Sequence, residues 1–169
     1  MRKILLLSAV LAYCLAAASA AENATPSLPN RLAAARVGEW VVYSIPDGYT
    51  QKHTVVERVG EGAAARVAIR VENMADGEVV DTIEMVEIAG EPVAQIPPIE
   101  EEGVAVDVNA ETFDILGKRF EGYVIEVFRS GESYQTWRIT PDLPVYGIAA
   151  RTTNDGGHTD FAIVDYSGK

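Results

Sequence analysis

Few positions in this 169-residue chain carry side chains suited to catalysis, so they can be taken one by one. Nucleophilic catalysis needs a nucleophile beside a base. The chain has no Gly-x-Ser-x-Gly elbow, its only cysteine is Cys14 in an apolar N-terminal run, and its only histidines are His53 and His158. His53 lies mid-strand and His158 follows a glycine turn; both are read as ordinary surface or edge residues. Asp155, His158 and Asp160 form the densest local set of metal-ligating types, and zinc wants three or four such ligands. Yet Asn154-Asp155-Gly156-Gly157 is the kind of sequence a hairpin turn uses at positive φ, and a turn is the simpler reading. There is no Asp-x-Asp-x-Asp-Gly calcium loop and no glycine-rich phosphate loop. Glu78, Glu84 and Glu126 alternate with apolar residues, which suits the wet face of a sheet better than the paired carboxylates of a glycosidase. The expectation is no catalytic residue, no metal and no cofactor.

The aromatic residues are more informative. They recur once or twice per predicted strand, and two roles are open to them: filling a core, or lining an apolar cavity on a curved sheet. In the second case the ligand-binding candidates are Trp40, Tyr123, Phe128 and Trp137.

The elements that must position these residues follow a period of two. Gly122 to Ile139 is the richest stretch: Tyr123 to Phe128, a break at Ser130-Gly131-Glu132-Ser133, then Tyr134 to Ile139. That pattern is a β-hairpin, expected at the centre of an antiparallel sheet. Upstream, Trp40 to Ile45, Thr50 to Val59, Ala65 to Glu72 and Glu78 to Ile88 read as four strands joined by short turns, an up-and-down meander. Ala65, Val67, Ile69 and Val71 face one way and Arg66, Ala68, Arg70 and Glu72 the other. Residues 89–103, with three prolines and Glu100-Glu101-Glu102, read as a connecting arm. Val104 to Val108, Glu111 to Leu116, Val145 to Thr152 and His158 to Tyr166 complete about eight or nine strands, at the spacing of a sandwich or barrel. One short helix is expected over Asn30 to Arg36, with Asn30 near its N-cap. The fold class is mainly β: a curved sheet or open barrel.

The chain opens with Arg2 and Lys3, an apolar run from Ile4 to Ala18, and Ala18-Ser19-Ala20. This is the pattern of a secretory signal peptide over 1–20, followed by a flexible lead over 21–29 and a single domain over 30–169. The apolar run is shorter than the roughly 20 residues of a transmembrane helix. Leu11-Ala12-Tyr13-Cys14 faintly resembles a lipoprotein processing box, but bulky Tyr13 precedes the cysteine where a small residue is wanted. Without 1–20 the chain holds 12 basic and 25 acidic residues. Such a negative field repels phosphate and disfavours nucleic acid and anionic lipid surfaces.

The order of a signal peptide, a short helix, a Gly38-Glu39-Trp40 strand, a long meander and a late Gly147-Ile148 strand before a final hairpin resembles small exported envelope proteins of bacteria. The layout is similar to the half-barrel of the LolA/LolB-like lipoprotein carriers. That resemblance implies a curved sheet wrapped around a helix with an apolar concave face; no functional residue carries over. The expected function is a non-enzymatic binding module of the cell envelope, periplasmic or secreted, for a hydrophobic ligand or lipid. The alternative is a structural or interaction protein with a filled core and an acidic surface, and an enzyme comes third.

Overall fold

The computed structural model describes residues 31–90, 104–154 and 157–168. The expected signal peptide, Cys14, the lead over 21–29, most of the acidic arm and Asp155 lie outside these residues. Nine strands make one sheet: β1 (Trp40–Ser44), β2 (Thr50–Val59), β3 (Arg66–Ala75), β4 (Glu78–Ile88), β5 (Val104–Ile115), β6 (Lys118–Arg129), β7 (Glu132–Ile139), β8 (Ile148–Thr153) and β9 (His158–Tyr166). Their order is β4-β3-β2-β1-β9-β8-β7-β6-β5, and every neighbouring pair is antiparallel. Going round the sheet therefore follows the chain, with β9 returning to β1. The sheet is open where β4 and β5, successive in sequence, stand at opposite edges.

Three tight hairpins set the register. Asp76-Gly77, Leu116-Gly117 and Ser130-Gly131 each place both central residues at positive φ, the turn whose twist matches the flanking strands. The β1–β9 pairing, with Val41 opposite Tyr166, is what puts the chain's two halves side by side. It also places β1 and β9 at the middle of the sheet, so the aromatic hairpin β6–β7 is not central but lies beside the β5 edge. Aromatic density along β6–β7 marks burial, whereas position in the sheet is decided by this long-range pairing.

One face carries the core. Across β1 to β4 the register sets Val41, His53, Val71 and Ile83 in one row. Across β5 to β9 it sets Val108, Ile125, Trp137, Arg151 and Phe161 in another. Tyr43 joins the rows, its ring lying edge-on to His53 at 5.3 Å and to Phe161 at 5.2 Å.

The expected N-terminal helix is not found. Arg31–Ala34 is a single 3₁₀ turn, followed within a few residues by β-branched Val37 and by Gly38 at φ +91°. One turn fixes too few backbone hydrogen bonds to offset the cost of nucleating an α-helix. The turn is held instead from outside: Arg58 donates to the carbonyls of Leu32 (2.9 Å), Ala33 (2.9 Å) and Ala35 (3.2 Å). Among the described residues the sheet thus wraps no α-helix. Its core face is covered by this turn and by the stretch Thr140 to Gly147, where Leu143, Val145 and Tyr146 are buried and Arg31 Nε donates to the Leu143 carbonyl at 3.0 Å. The β-branched Val145 sits there at φ +61°, a strained conformation for its type.

Candidate functional site

Among the described residues, the polar and aromatic centre of the core face and two surface recesses are candidates for binding. At the centre, His53 is buried at 2 % exposure, not at the surface as expected. Its alternation partner in β2 is Val55, and both point into the core. The ring stands edge-on to Tyr43 and to Tyr146, the latter at 5.9 Å, and Nε2 meets Gln51 Oε1 at 3.3 Å. Among the described residues its buried Nδ1 finds no hydrogen-bond partner. Burial pushes the His53 pKa down to about 4, so the ring is neutral near pH 7. Tyr43 donates to the Ile148 carbonyl at 3.1 Å, and burial raises its pKa above the ordinary value. Tyr146 is raised for the same reason, reinforced by the Glu87 carboxylate beside it.

Further round the same face, the Arg151 guanidinium lies 5.2 Å from the Trp137 ring centre and 4.9 Å from that of Phe161. Its Nε donates to Asp160 Oδ2 at 2.8 Å, and Thr153 Oγ1 donates to the same oxygen at 2.6 Å. Asp160 is therefore committed to the fold. His158 is exposed. Among the described residues no group of three or more His, Cys, Asp or Glu is placed to hold a metal ion.

The four aromatic candidates do not converge. Trp137 is buried and Tyr123 half-buried on the core face. Trp40 and Phe128 take the opposite face, because each is the strand neighbour of a core residue, Val41 and Val127 respectively. The Lys52 ammonium lies 5.4 Å from the Trp40 ring centre there.

The larger recess, about 420 Å³, lies between β5, β6 and Pro141-Asp142; Tyr123 lines it together with Glu111, Glu121 and Asp142. The second, about 320 Å³, runs between the β5–β6 turn and β7–β9. Phe113, Ile115, Leu116, Ala149, Ala150, Ala162 and Ile163 line it, with Arg138 and Asp114 the two charged members. Ala150 and Ala162 face each other across β8–β9, and two small residues there leave the floor open. Of these residues only Phe113, one of the strand aromatics open to a cavity-lining role, carries a signal in the sequence. Facing alanines on separate strands give no local signal, and only the register reveals them.

No family model matches the chain. No curated protein matches it either. A solved structure from Bacteroides fragilis, of a protein described as exported and as having a YmcC-like fold, is similar at a TM-score of 0.49 and 12% identity over 79% of this chain and 97% of that one. The likeness to the LolA/LolB-like carriers is not confirmed by these comparisons. Among the described residues no helix is long and apolar enough to cross a membrane.

Chemically, the core-face cluster is a set of neutral or paired groups packed against aromatic rings. The apolar recess is the place where uncommitted apolar surface meets solvent.

Proposed function

We propose that this protein is an exported, non-catalytic binding module of the cell envelope that takes an apolar ligand of the acyl-chain kind. Export rests on the basic, apolar and Ala-x-Ala order of the first 20 residues. The observation that carries the binding reading is the recess of about 320 Å³ with seven apolar residues among its nine lining positions. That volume stands at the lower end of the roughly 300–1,000 Å³ typical of small-molecule pockets, which are mostly apolar with a few polar groups. Arg138 and Asp114 supply the polar groups.

The test is native mass spectrometry of the chain purified without detergent, organic extraction of what it carries, and titration with a dansyl-labelled fatty acid. A co-purifying apolar molecule, and probe binding that Ala150→Leu weakens at least tenfold while the fold is kept, is the expected result. A bare mass with no probe uptake overturns this reading. The alternative, an interaction protein of the envelope, is favoured by a separate observation: the buried Trp137, Tyr43 and Tyr146 fill the core, while among the described residues one edge of the sheet has no neighbour.

A further inference from the structure

That edge is β4, which no other described strand flanks on its outer side. Five of the ten large apolar residues exposed among the described residues lie on this one strand: Val79, Val80, Ile83, Val86 and Ile88, at 40 to 60 % exposure. An edge strand directs every second N–H and C=O away from its sheet, and natural proteins guard such edges with lysines, prolines, bulges or short length. β4 is 11 residues long and contains neither lysine nor proline. Its irregularity against β3 falls at the start, between Asn73 and Met74 opposite Asp81 and Val79; from Asp81 to Ile88 the ladder is unbroken. The other edge differs, since Val104, Val106 and Val108 of β5 are half-buried against the core.

Charge selects the occupant. β4 carries Glu78, Asp81, Glu84 and Glu87 with no basic residue, and β5 carries Asp107, Glu111 and Asp114, again with none. Like charges directly opposite one another on paired strands are destabilising. The acidic side chains therefore discourage both closure of β4 onto β5 and pairing with either edge of a second copy. Three of the four make internal contacts: Arg70 pairs with Glu84 at 2.8 Å in an exposed contact, Tyr146 donates to Glu87 at 2.9 Å, and Asp81 accepts from the Thr82 N–H at 2.9 Å and from Asn73 Nδ2 at 3.4 Å. Among the described residues neither Glu78 nor Asp81 is paired with a cation.

We propose that β4 is a docking edge for an extended segment of another protein in which basic and apolar residues alternate, added antiparallel or parallel beside Asp81–Ile88. Backbone pairing would supply affinity, apolar residues of the partner would cover Val86 and Ile88 on one face, and its bases would meet Asp81 and Glu78 on the other. This inference is independent of the apolar recess, which lies on other strands.

The experiment uses the full chain and a fluorescein-labelled nine-residue peptide of alternating lysine and valine, with a second peptide in which two central valines are replaced by proline. Anisotropy should show saturable binding of the first, at least tenfold weaker binding of the second, and at least tenfold weaker binding of the first by an Asp81→Lys/Glu78→Lys variant. Amide exchange should slow across 81–88. Equal binding of the proline peptide would reduce the effect to bulk charge attraction and overturn the proposal. Protection of 104–115 instead, self-association of the chain through 81–88 without peptide, or no binding of either peptide would overturn it equally. The proline comparison is made on the unaltered chain, so the outcome does not depend on the variant's folding.

Discussion

The hydroxyl of Tyr146 donates to a carboxylate oxygen of Glu87 at 2.9 Å, joining the covering stretch between β7 and β8 to the edge strand β4 across 59 residues of sequence. The same hydroxyl lies 3.5 Å from Met85 Sδ, and Tyr146 itself is buried. The bond thus pins the least covered strand of the sheet to the material that fills its core. Hydrogen bonds to charged groups contribute roughly 1.5–3 kcal/mol. Tyr146→Phe should lower the unfolding free energy in urea by about 2 kcal/mol and speed amide exchange selectively in β4. A loss below about 0.5 kcal/mol, or exchange that is unchanged in β4, would show that the edge is held by its ladder to β3 alone.

The buried imidazole of His53 makes stability depend on pH. In the unfolded chain a histidine takes up its proton near pH 6.5, whereas in the fold this one does so only near pH 4. Between those values the unfolded state binds more protons, so stability rises with pH. The contribution is fully present above about pH 6.5, is lost as the pH falls toward 4, and changes no further below that. The depression corresponds to about 3 kcal/mol. Chemical denaturation from pH 7.5 to 4 should show this slope in the native chain and a shallower one in His53→Phe, which keeps the edge-on packing on Tyr43 and Tyr146 but cannot titrate. Parallel slopes for the two proteins would mean that the carboxylates alone govern the acid limb.

Much of this architecture was legible in the residues. Period-two alternation placed β2 and β4 to the residue and β3 short by three residues at its end, and Val67, Ile69 and Val71 point into the core as their spacing requires. His53 shares the phase of Val55, so its burial had a signal that its polarity concealed. What could not be read is what long-range pairing decides. Nothing local to Val41 or Tyr166 announces that they face each other, and that pairing moves the aromatic hairpin from the middle of the sheet toward one edge. Pro141 and Pro144 interrupt the strand pattern in the sequence, but an interruption does not say that Leu143 and Val145 will be fully buried. The alanines after Asn30 suggested a helix because propensity is local, while Arg58, which takes the carbonyls of that turn, comes from another strand. The candidate recess escaped notice for a related reason: its floor is defined by small side chains from β8 and β9, and smallness carries no pattern.

Phe113 and Gly122 yield the sharpest test of the β6–β7 register. Gly122 is paired with Glu111, and its neighbour Tyr123 pairs with Ile139 of β7. A Cβ added at Gly122 would collide with the Ile139 carbonyl oxygen and lie 2.8 Å from Cζ of Phe113. The ring packs where that glycine has no side chain, in the manner of an aromatic covering a strand glycine. The ring can swing aside, but the carbonyl belongs to a strand held on both sides, by β6 and by β8. Overpacking a well-filled site costs typically 1–3 kcal/mol. Gly122→Ala should accordingly destabilise the protein by about 3 kcal/mol in urea unfolding, and adding Phe113→Ala should fail to restore it, because the backbone obstruction remains. Recovery in the double variant would assign the clash to the ring alone. A Gly122→Ala protein as stable as the parent would mean that β6 and β7 are not in the register that sets Tyr123 opposite Ile139.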